Sequence, residues 1–179
     1  MFFLTDMNTS LSCNQPSFNG IEKFLQTKVD DKLLRGSCVT SPLKVRKMKK
    51  EGITQIIDLR NSAHFESPLE KLFCKIFGIK YVNYRFSHRL NDIPDQDFFK
   101  QINESILSNE GKTYMHCEYG RHRTGLAVAI YEKLHTPKDN SEIIKNMIDN
   151  GYTEIMSKGE TKKEKKYINQ YNQMMDMYF

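Results

Sequence analysis

The segment HCEYGRHRTG, His116 to Gly125, combines a cysteine, arginines and glycines at a spacing suited to phosphate chemistry. An apolar strand is predicted before it and an apolar helix after it. A strand that ends in a short loop and opens a helix gathers backbone N–H groups around one point, with the positive end of the helix dipole behind them. Gly120 permits a tight turn and a close approach, and Arg123 offers a planar fork of donors to two phosphate oxygens. The segment therefore predicts an anion site.

The same loop would activate Cys117 as a nucleophile. Loop N–H groups and positive charges favour thiolate over thiol and lower a cysteine pKa by several units from about 8.5. Attack of that thiolate on phosphorus would give a phosphocysteine and split a hydrolysis into two steps. Thr124 is placed to donate to the sulfur and ease its departure. The residues that we expect to line the phosphate are consecutive: Glu118, Tyr119, Gly120, Arg121, His122, Arg123 and Thr124.

Alternating strands and helices would position this loop. Short apolar runs rich in β-branched residues predict strands at 32–40, 53–59, 79–86 and 113–116. Caps and apolar periodicity predict helices at 42–51, about 69–77, 94–109, 126–134, 140–150 and 161–178. Ser41 and Asn140-Ser141 are the predicted caps of two helices, and Phe98, Ile102 and Ile106 the predicted buried face of a third.

This order of elements predicts an α/β fold, with a central parallel-rich sheet flanked by helices. Residues 1–20 are rich in Asn, Ser and Thr without periodicity, so we expect an irregular N-terminal arm. Residues 21–179 would then form one catalytic domain, since a chain of 179 residues suits a single core.

Cys117, five intervening residues, Arg123, Thr124 and Gly125 match the H-C-x5-R-[ST]-G signature of the protein tyrosine phosphatase superfamily. The segment LLRGSCVTSPLKVRKMKKEGITQIIDLR resembles the lead-in of its dual-specificity-like members from bacteria, plants and fungi, and YGRHRTGLAVAIYEK resembles their loop and helix. The resemblance implies the fold of cysteine-dependent phosphatases and hydrolysis of phosphomonoesters without a metal or organic cofactor. It also implies that His116 shapes the loop by bonding backbone, whereas Arg60 could line the pocket or pair with Asp58.

The resemblance also requires a general acid that protonates the leaving oxygen and later accepts a proton from water. The predicted loop HRLNDIPDQD offers Asp92, Asp95 and Asp97. Asp92 precedes the Ile93-Pro94 step that stiffens the loop and is our first choice, with Asp95 second. Asp97 is expected in the first turn of a helix, where a carboxylate stabilises the N-terminus.

The substrate is left open between two classes. A phosphorylated protein is the first expectation, as for tyrosine and dual-specificity phosphatases. Arg121 and His122 would add positive charge to the rim and resemble the loop of enzymes that act on inositol pyrophosphates, which makes an inositol polyphosphate or pyrophosphate the alternative. A catalytically weak scaffold that binds phosphate is a third reading. Glu118 would oppose thiolate formation if it faced the pocket, so we expect it to point outward.

Composition limits the partners and the cellular location that the sequence predicts. The net charge of +5 favours anionic partners without choosing among them, and we expect neither a nucleic-acid partner nor stable membrane insertion. The 4 cysteines are scattered singly, which argues against a zinc ribbon or a disulfide framework. No run is apolar enough for a signal peptide or a membrane span, so the sequence predicts a cytoplasmic protein.

Overall fold

Strands and helices alternate along the chain as the sequence predicts. The computed structural model describes residues 26–61, 66–86 and 94–152. The strands are β1 (Thr27–Lys28), β2 (Leu33–Ser37), β3 (Ile53–Asp58), β4 (Lys80–Asn83) and β5 (Lys112–Cys117). The helices are α1 (Pro42–Lys50), α2 (Glu66–Phe77), α3 (Gln96–Leu107), α4 (His122–His135) and α5 (Asn140–Asp149). The predicted α/β class is confirmed.

The strand order within the described residues is β1-β2-β5-β3-β4. Strands β2, β5, β3 and β4 run parallel, and β1 pairs antiparallel with β2 at the edge. Ser37 pairs with Cys117, and Asp58 pairs with His116. Because the carboxyl ends of parallel strands meet at one edge of a sheet, the residues that follow β2, β3 and β5 gather around Cys117.

The core occupies both faces of the sheet, since side chains of a strand alternate between them. On one face, Tyr114 of β5 packs with apolar residues of α1 and α2, such as Val45 and Cys74. On the other, Met115 packs with residues of α3, α4 and α5. The strand that carries Cys117 is therefore covered on both sides and rigidly held.

Several boundaries differ from the prediction. Strand β2 ends at Ser37 because the chain then turns to the loop after β5, where the Cys38 N–H donates to the Glu118 carbonyl. The edge strand β1, with 2 residues, is too short to produce an alternating pattern and was not predicted. Helix α4 begins at His122, four residues before the predicted Leu126, so the polar loop residues supply its first turn.

Two helix details also differ. The N-cap of α5 is Asp139, not Asn140-Ser141, and Asp139 forms a capping box with Glu142. In α3 the fully buried aromatic residue is Phe99, whereas Phe98 is partly buried against the same cluster. Ser41 is the N-cap of α1, as predicted, but its side chain makes no capping hydrogen bond.

Two predicted regions, the N-terminal arm at 1–20 and the helix at 161–178, lie outside the described residues and stay predictions. Among the helices that the structure describes, none is long and apolar enough to cross a membrane.

Candidate active site

The loop after β5 brings the predicted phosphate-binding residues around Cys117. Cys117 is the last residue of β5 and is 3% exposed, and α4 begins at His122, which puts Arg123 and Thr124 in the first turn of that helix. Gly120 has φ +71°, a left-handed conformation that side-chain-bearing residues rarely adopt. A Cβ there would lie 2.3 Å from the Gly36 carbonyl oxygen, so the loop also needs glycine for its close approach to β2.

Strand β2 holds the loop from outside. The Glu118 carbonyl accepts a hydrogen bond from the Cys38 N–H at 3.3 Å, and the Gly120 carbonyl accepts one from Arg35 Nη2 at 2.7 Å. In a trans peptide the C=O and the following N–H point in opposite directions. The N–H groups of Tyr119 and Arg121 therefore point away from these anchors, an orientation that suits an anion in the loop.

The loop lowers the pKa of the Cys117 thiol. Burial by itself would raise it, but the Arg123 charge, the Thr124 hydroxyl and the backbone N–H groups of Thr124 and Gly120 outweigh burial and favour the thiolate. Cys74 shows the contrast, since burial without such donors raises its pKa to about 12. Cys117 thus differs chemically from Cys74, a buried cysteine of helix α2.

Arg123 is held by one terminal nitrogen of its guanidinium. Its Nη1 donates to the Leu59 carbonyl at 3.2 Å, just after β3, and its charge acts on Cys117. The tether orients the planar guanidinium and leaves its other donors for phosphate oxygens.

The Glu118 carboxylate does not point outward as expected, because one of its oxygens is buried beside the guanidinium of Arg60. The carboxylate lies 3.8 Å from Arg60 Nη1 and 3.8 Å from Cys38 Sγ. The neighbouring guanidinium offsets its charge, so this acid opposes thiolate formation less than its sequence position suggests.

The expectation that Arg121 and His122 charge the rim is wrong. Arg121 is 5% exposed, because the loop folds its side chain inward. Burial, then the charges of Arg121 and Arg123, lower the pKa of His122 to about 4, so this histidine is neutral at pH 7. The ring of His122 packs edge-on against Tyr152 at a centroid distance of 5.7 Å.

A sequence profile of the tyrosine phosphatase family matches residues 20–173. The chain belongs to the tyrosine phosphatase family. It is accordingly a phosphoric monoester hydrolase. Among proteins with curated descriptions, none matches this tyrosine phosphatase by sequence.

Solved structures similar to this tyrosine phosphatase share its fold at low identity. A candidate phosphatase of Shewanella putrefaciens CN-32 is 15% identical with a TM-score of 0.66, over 93% of this chain and 99% of that one. The core catalytic domain of the PP-IP phosphatase SIW14 of S. cerevisiae is 19% identical, with a TM-score of 0.65 over 89% and 88%. TpbA of P. aeruginosa, solved with phosphotyrosine, is 13% identical, with a TM-score of 0.61 over 85% and 89%.

A buried ion-pair network underlies the loop of this phosphatase. Arg60 donates to Asp58 from Nε at 3.0 Å and from Nη2 at 2.8 Å, and Nη2 also donates to Glu70. His116 lies 3.0 Å from Glu70, and all four side chains are fully buried. Arg60 thus pairs with Asp58, one of the two roles expected for it.

Asp58, Glu70 and His116 also have the composition of a metal-ligand set, and one ligand atom of each lies within 4.8 Å of the others. The guanidinium of Arg60 donates to both carboxylates and supplies the positive charge that a cation would bring. The geometry therefore favours ion pairing over metal ligation here.

Two site residues escaped the sequence analysis. Arg35 was read as part of an ordinary strand, although a charge inside a predicted buried strand is itself a signal of a polar contact. Glu70 lies on the buried face of α2, four residues before Cys74, where an acid in an apolar position gives the same signal. Arg35 contacts the loop at Gly120, and Glu70 contacts His116 of the strand that precedes the loop.

The candidates for the general acid are only partly described. Asp92 lies outside the described residues, so its role stays a prediction. Asp95 is the N-cap of α3, and its carboxylate accepts the Phe98 N–H at 2.9 Å. Asp97 lies in the first turn of that helix, as expected.

Proposed function

We propose that this tyrosine phosphatase hydrolyses phosphomonoesters on proteins, phosphotyrosine among them, through a phosphocysteine intermediate. The observation that carries the proposal is the Cys117 thiol, whose pKa is lowered despite burial at the floor of a loop that ends on Arg123. A thiolate in such a loop is a nucleophile held within reach of a bound phosphate.

In the first step, the Cys117 thiolate attacks phosphorus and the bond from phosphorus to the leaving oxygen breaks. That oxygen takes a proton from a carboxylic acid, for which Asp92 is our choice. In the second step, water attacks the phosphocysteine, gives a proton to the same carboxylate, and releases inorganic phosphate and the thiolate. Arg123 and the loop N–H groups hold the phosphate oxygens in both steps, and Thr124 donates to the departing sulfur.

Charge near the loop supports a monophosphate group over a highly phosphorylated inositol. The inositol alternative depended on Arg121 and His122 at the rim, but one is buried and the other is neutral at pH 7. Of the three basic residues Arg121, His122 and Arg123, only Arg123 is then both charged and partly exposed. A rim with few exposed charges suits one phosphate group better than the many phosphates of a highly phosphorylated inositol.

The thiolate also supports a reducing compartment, and we propose the cytoplasm. Cys38, Cys74 and Cys117 are free thiols, and oxidation of Cys117 would remove the nucleophile.

The test is the initial rate of hydrolysis of p-nitrophenyl phosphate, a phosphotyrosine peptide and inositol hexakisphosphate by wild type and Cys117→Ser, with reductant. We expect the peptide to be cleaved with the highest kcat/KM, and the serine variant to lose turnover while it still binds inorganic phosphate. A faster rate on the inositol phosphate would overturn the substrate assignment. Full activity of Cys117→Ser would overturn the mechanism, and phosphate binding without turnover by wild type would identify a scaffold.

A further inference from the structure

The ring of His116 lies between two oxygen atoms. Nε2 is 3.0 Å from Glu70 Oε1, and Nδ1 is 3.0 Å from the carbonyl oxygen of Cys117. A neutral imidazole donates from one nitrogen and presents a lone pair at the other, so one of these two contacts would set a lone pair against an oxygen. The imidazolium has a hydrogen on each nitrogen. Each nitrogen then presents a hydrogen to the oxygen that it faces, as a hydrogen bond to the Cys117 carbonyl and as an ion pair with Glu70.

The charged groups around His116 balance in that state. Glu70 faces it from α2, and Asp58 Oδ1 of β3 lies 3.9 Å from Nδ1. Arg60, just after β3, is bound to both carboxylates, and along β5 the Tyr114 ring packs at 5.7 Å and Cys117 follows directly. With His116 protonated, two buried carboxylates face two buried cations, an arrangement that avoids an uncompensated charge.

The pKa of His116 follows the same balance. Burial would lower it, but the charge and hydrogen bond of Glu70, and then the charge of Asp58, raise it to about 9 against the opposing charge of Arg60. Glu70 is the group that contributes most to the increase.

Glu70 is itself fixed from outside the loop. Its Oε1 accepts the Val39 N–H at 3.0 Å, beyond β2, and its Oε2 accepts from Arg60 beyond β3. One carboxylate from α2 therefore links the segments that follow β2 and β3 to the residue that precedes the nucleophile. Both of these anchors, the Val39 N–H and Arg60, lie outside the phosphate loop.

We propose that Glu70 is a positioning residue of the active site: it holds His116 as an imidazolium that donates to the Cys117 carbonyl and thereby fixes the first peptide of the phosphate loop. With that carbonyl bound to His116, the Glu118 N–H of the same trans peptide points to the opposite side. The inference rests on the proposed function, since it assigns a role in the same site. The protonation of His116, however, can be measured without any turnover.

The first experiment is an NMR titration of the His116 ring nitrogens in wild type and Glu70→Gln. In wild type both nitrogens should carry hydrogens at pH 7, with loss of one proton near pH 9. In Glu70→Gln, which removes the charge at nearly constant shape, the midpoint should fall by about two pH units or more, toward the ordinary histidine value. Glu132→Gln is the matched control, because Glu132 is also buried but pairs with Lys138, and it should leave the His116 midpoint in place.

A neutral His116 in wild type at pH 7 would overturn the proposal, and this measurement stands even if Glu70→Gln does not fold. An unchanged midpoint in a folded Glu70→Gln would overturn it as well.

The second readout is the pH dependence of Cys117 alkylation by iodoacetamide, followed by mass spectrometry of the Cys117 peptide. Glu70→Gln should shift the reactivity profile to higher pH. In a His116→Gln background the same change should add nothing, because residues that act through one another are not additive. Additive shifts would overturn the role assigned to Glu70. Failure of the phosphatase assays with the His116 titration intact would instead reject the proposed function alone.

Discussion

Arg35 donates a hydrogen bond from Nη2 to the Gly120 carbonyl at 2.7 Å, across a sequence separation of 85 residues. Arg35 is 3% exposed, and burial lowers its pKa to about 10 against the opposing effects of Cys117 and Glu132, so it stays charged at neutral pH. A buried cation thus lies beneath the loop that we propose binds phosphate. The contact turns the Gly120 carbonyl outward and favours the thiolate of Cys117.

Replacement of Arg35 by leucine should weaken phosphate binding and turnover together. The Gly120 carbonyl would lose its donor, and an unsatisfied buried acceptor costs about 1–3 kcal/mol, so we expect kcat/KM to fall by about tenfold or more. The measurement is the inhibition of p-nitrophenyl phosphate hydrolysis by inorganic phosphate. Arg46→Leu, on the exposed surface of α1, is the control and should match wild type. An unchanged phosphate inhibition constant for Arg35→Leu would show that the contact does not shape the loop.

Gly120→Ala and Gly52→Ala distinguish the cost of a strained backbone from the cost of a steric clash of the new Cβ with a neighbouring atom. Both glycines have positive φ, +71° and +86°, but a Cβ at Gly120 meets the Gly36 carbonyl oxygen at 2.3 Å, whereas nothing lies within 4 Å at Gly52. Gly52→Ala should cost about 1–2 kcal/mol of unfolding free energy and leave kcat unchanged. Gly120→Ala should also lose phosphate binding and most activity, because loop or strand must move. Urea unfolding and steady-state kinetics check both, and equal kinetics for the two variants would contradict the collision.

The general acid can be identified by leaving-group dependence. Asp92→Ala should slow phenyl phosphate far more than p-nitrophenyl phosphate, since nitrophenolate leaves with little need of a proton. Asp95→Ala should instead lose about 1 kcal/mol of stability, because the N-cap bond to Phe98 is lost, and treat both substrates alike. Asp95→Asn restores a cap without an acid. Selective loss on phenyl phosphate in both Asp95 variants would move the role to Asp95.

Local signals predicted the elements that carry the chemistry. The run Ile53–Asp58 and the loop from Cys117 to Thr124 lie where the sequence puts them, because β-branched runs and the strand-loop-helix transition are encoded by neighbouring residues. The antiparallel edge strand β1 was missed, since 2 residues produce no period and its pairing depends on β2.

Long-range contacts were beyond sequence reasoning. The partners of Glu70 lie on three other segments, and Arg35 reaches a loop that only the sheet order β2-β5-β3 brings beside it. The prediction of positive charge at the rim was wrong for a related reason. The segment HCEYGRHRTG does not show that Arg121 is buried, because burial depends on what packs over the loop. The residue type shows that Arg121 is charged, but its burial depends on tertiary packing.

The neutral state of His122 predicts an acid-dependent loss of stability. Its pKa is lowered to about 4 in the folded protein, first by burial and then by Arg121 and Arg123, against about 6.5 in the unfolded chain. Between these values the unfolded state binds a proton that the native state does not, so stability falls as pH decreases from about 6.5 to 4 and changes no further from this group below 4. We expect His122→Asn, which cannot titrate, to lose about 3 kcal/mol less than wild type over that range. Urea unfolding at several pH values measures the difference between the two slopes, to which acidic residues common to both proteins contribute equally. Parallel slopes would mean that His122 has the same pKa in the folded and unfolded protein, and that the loop does not lower it.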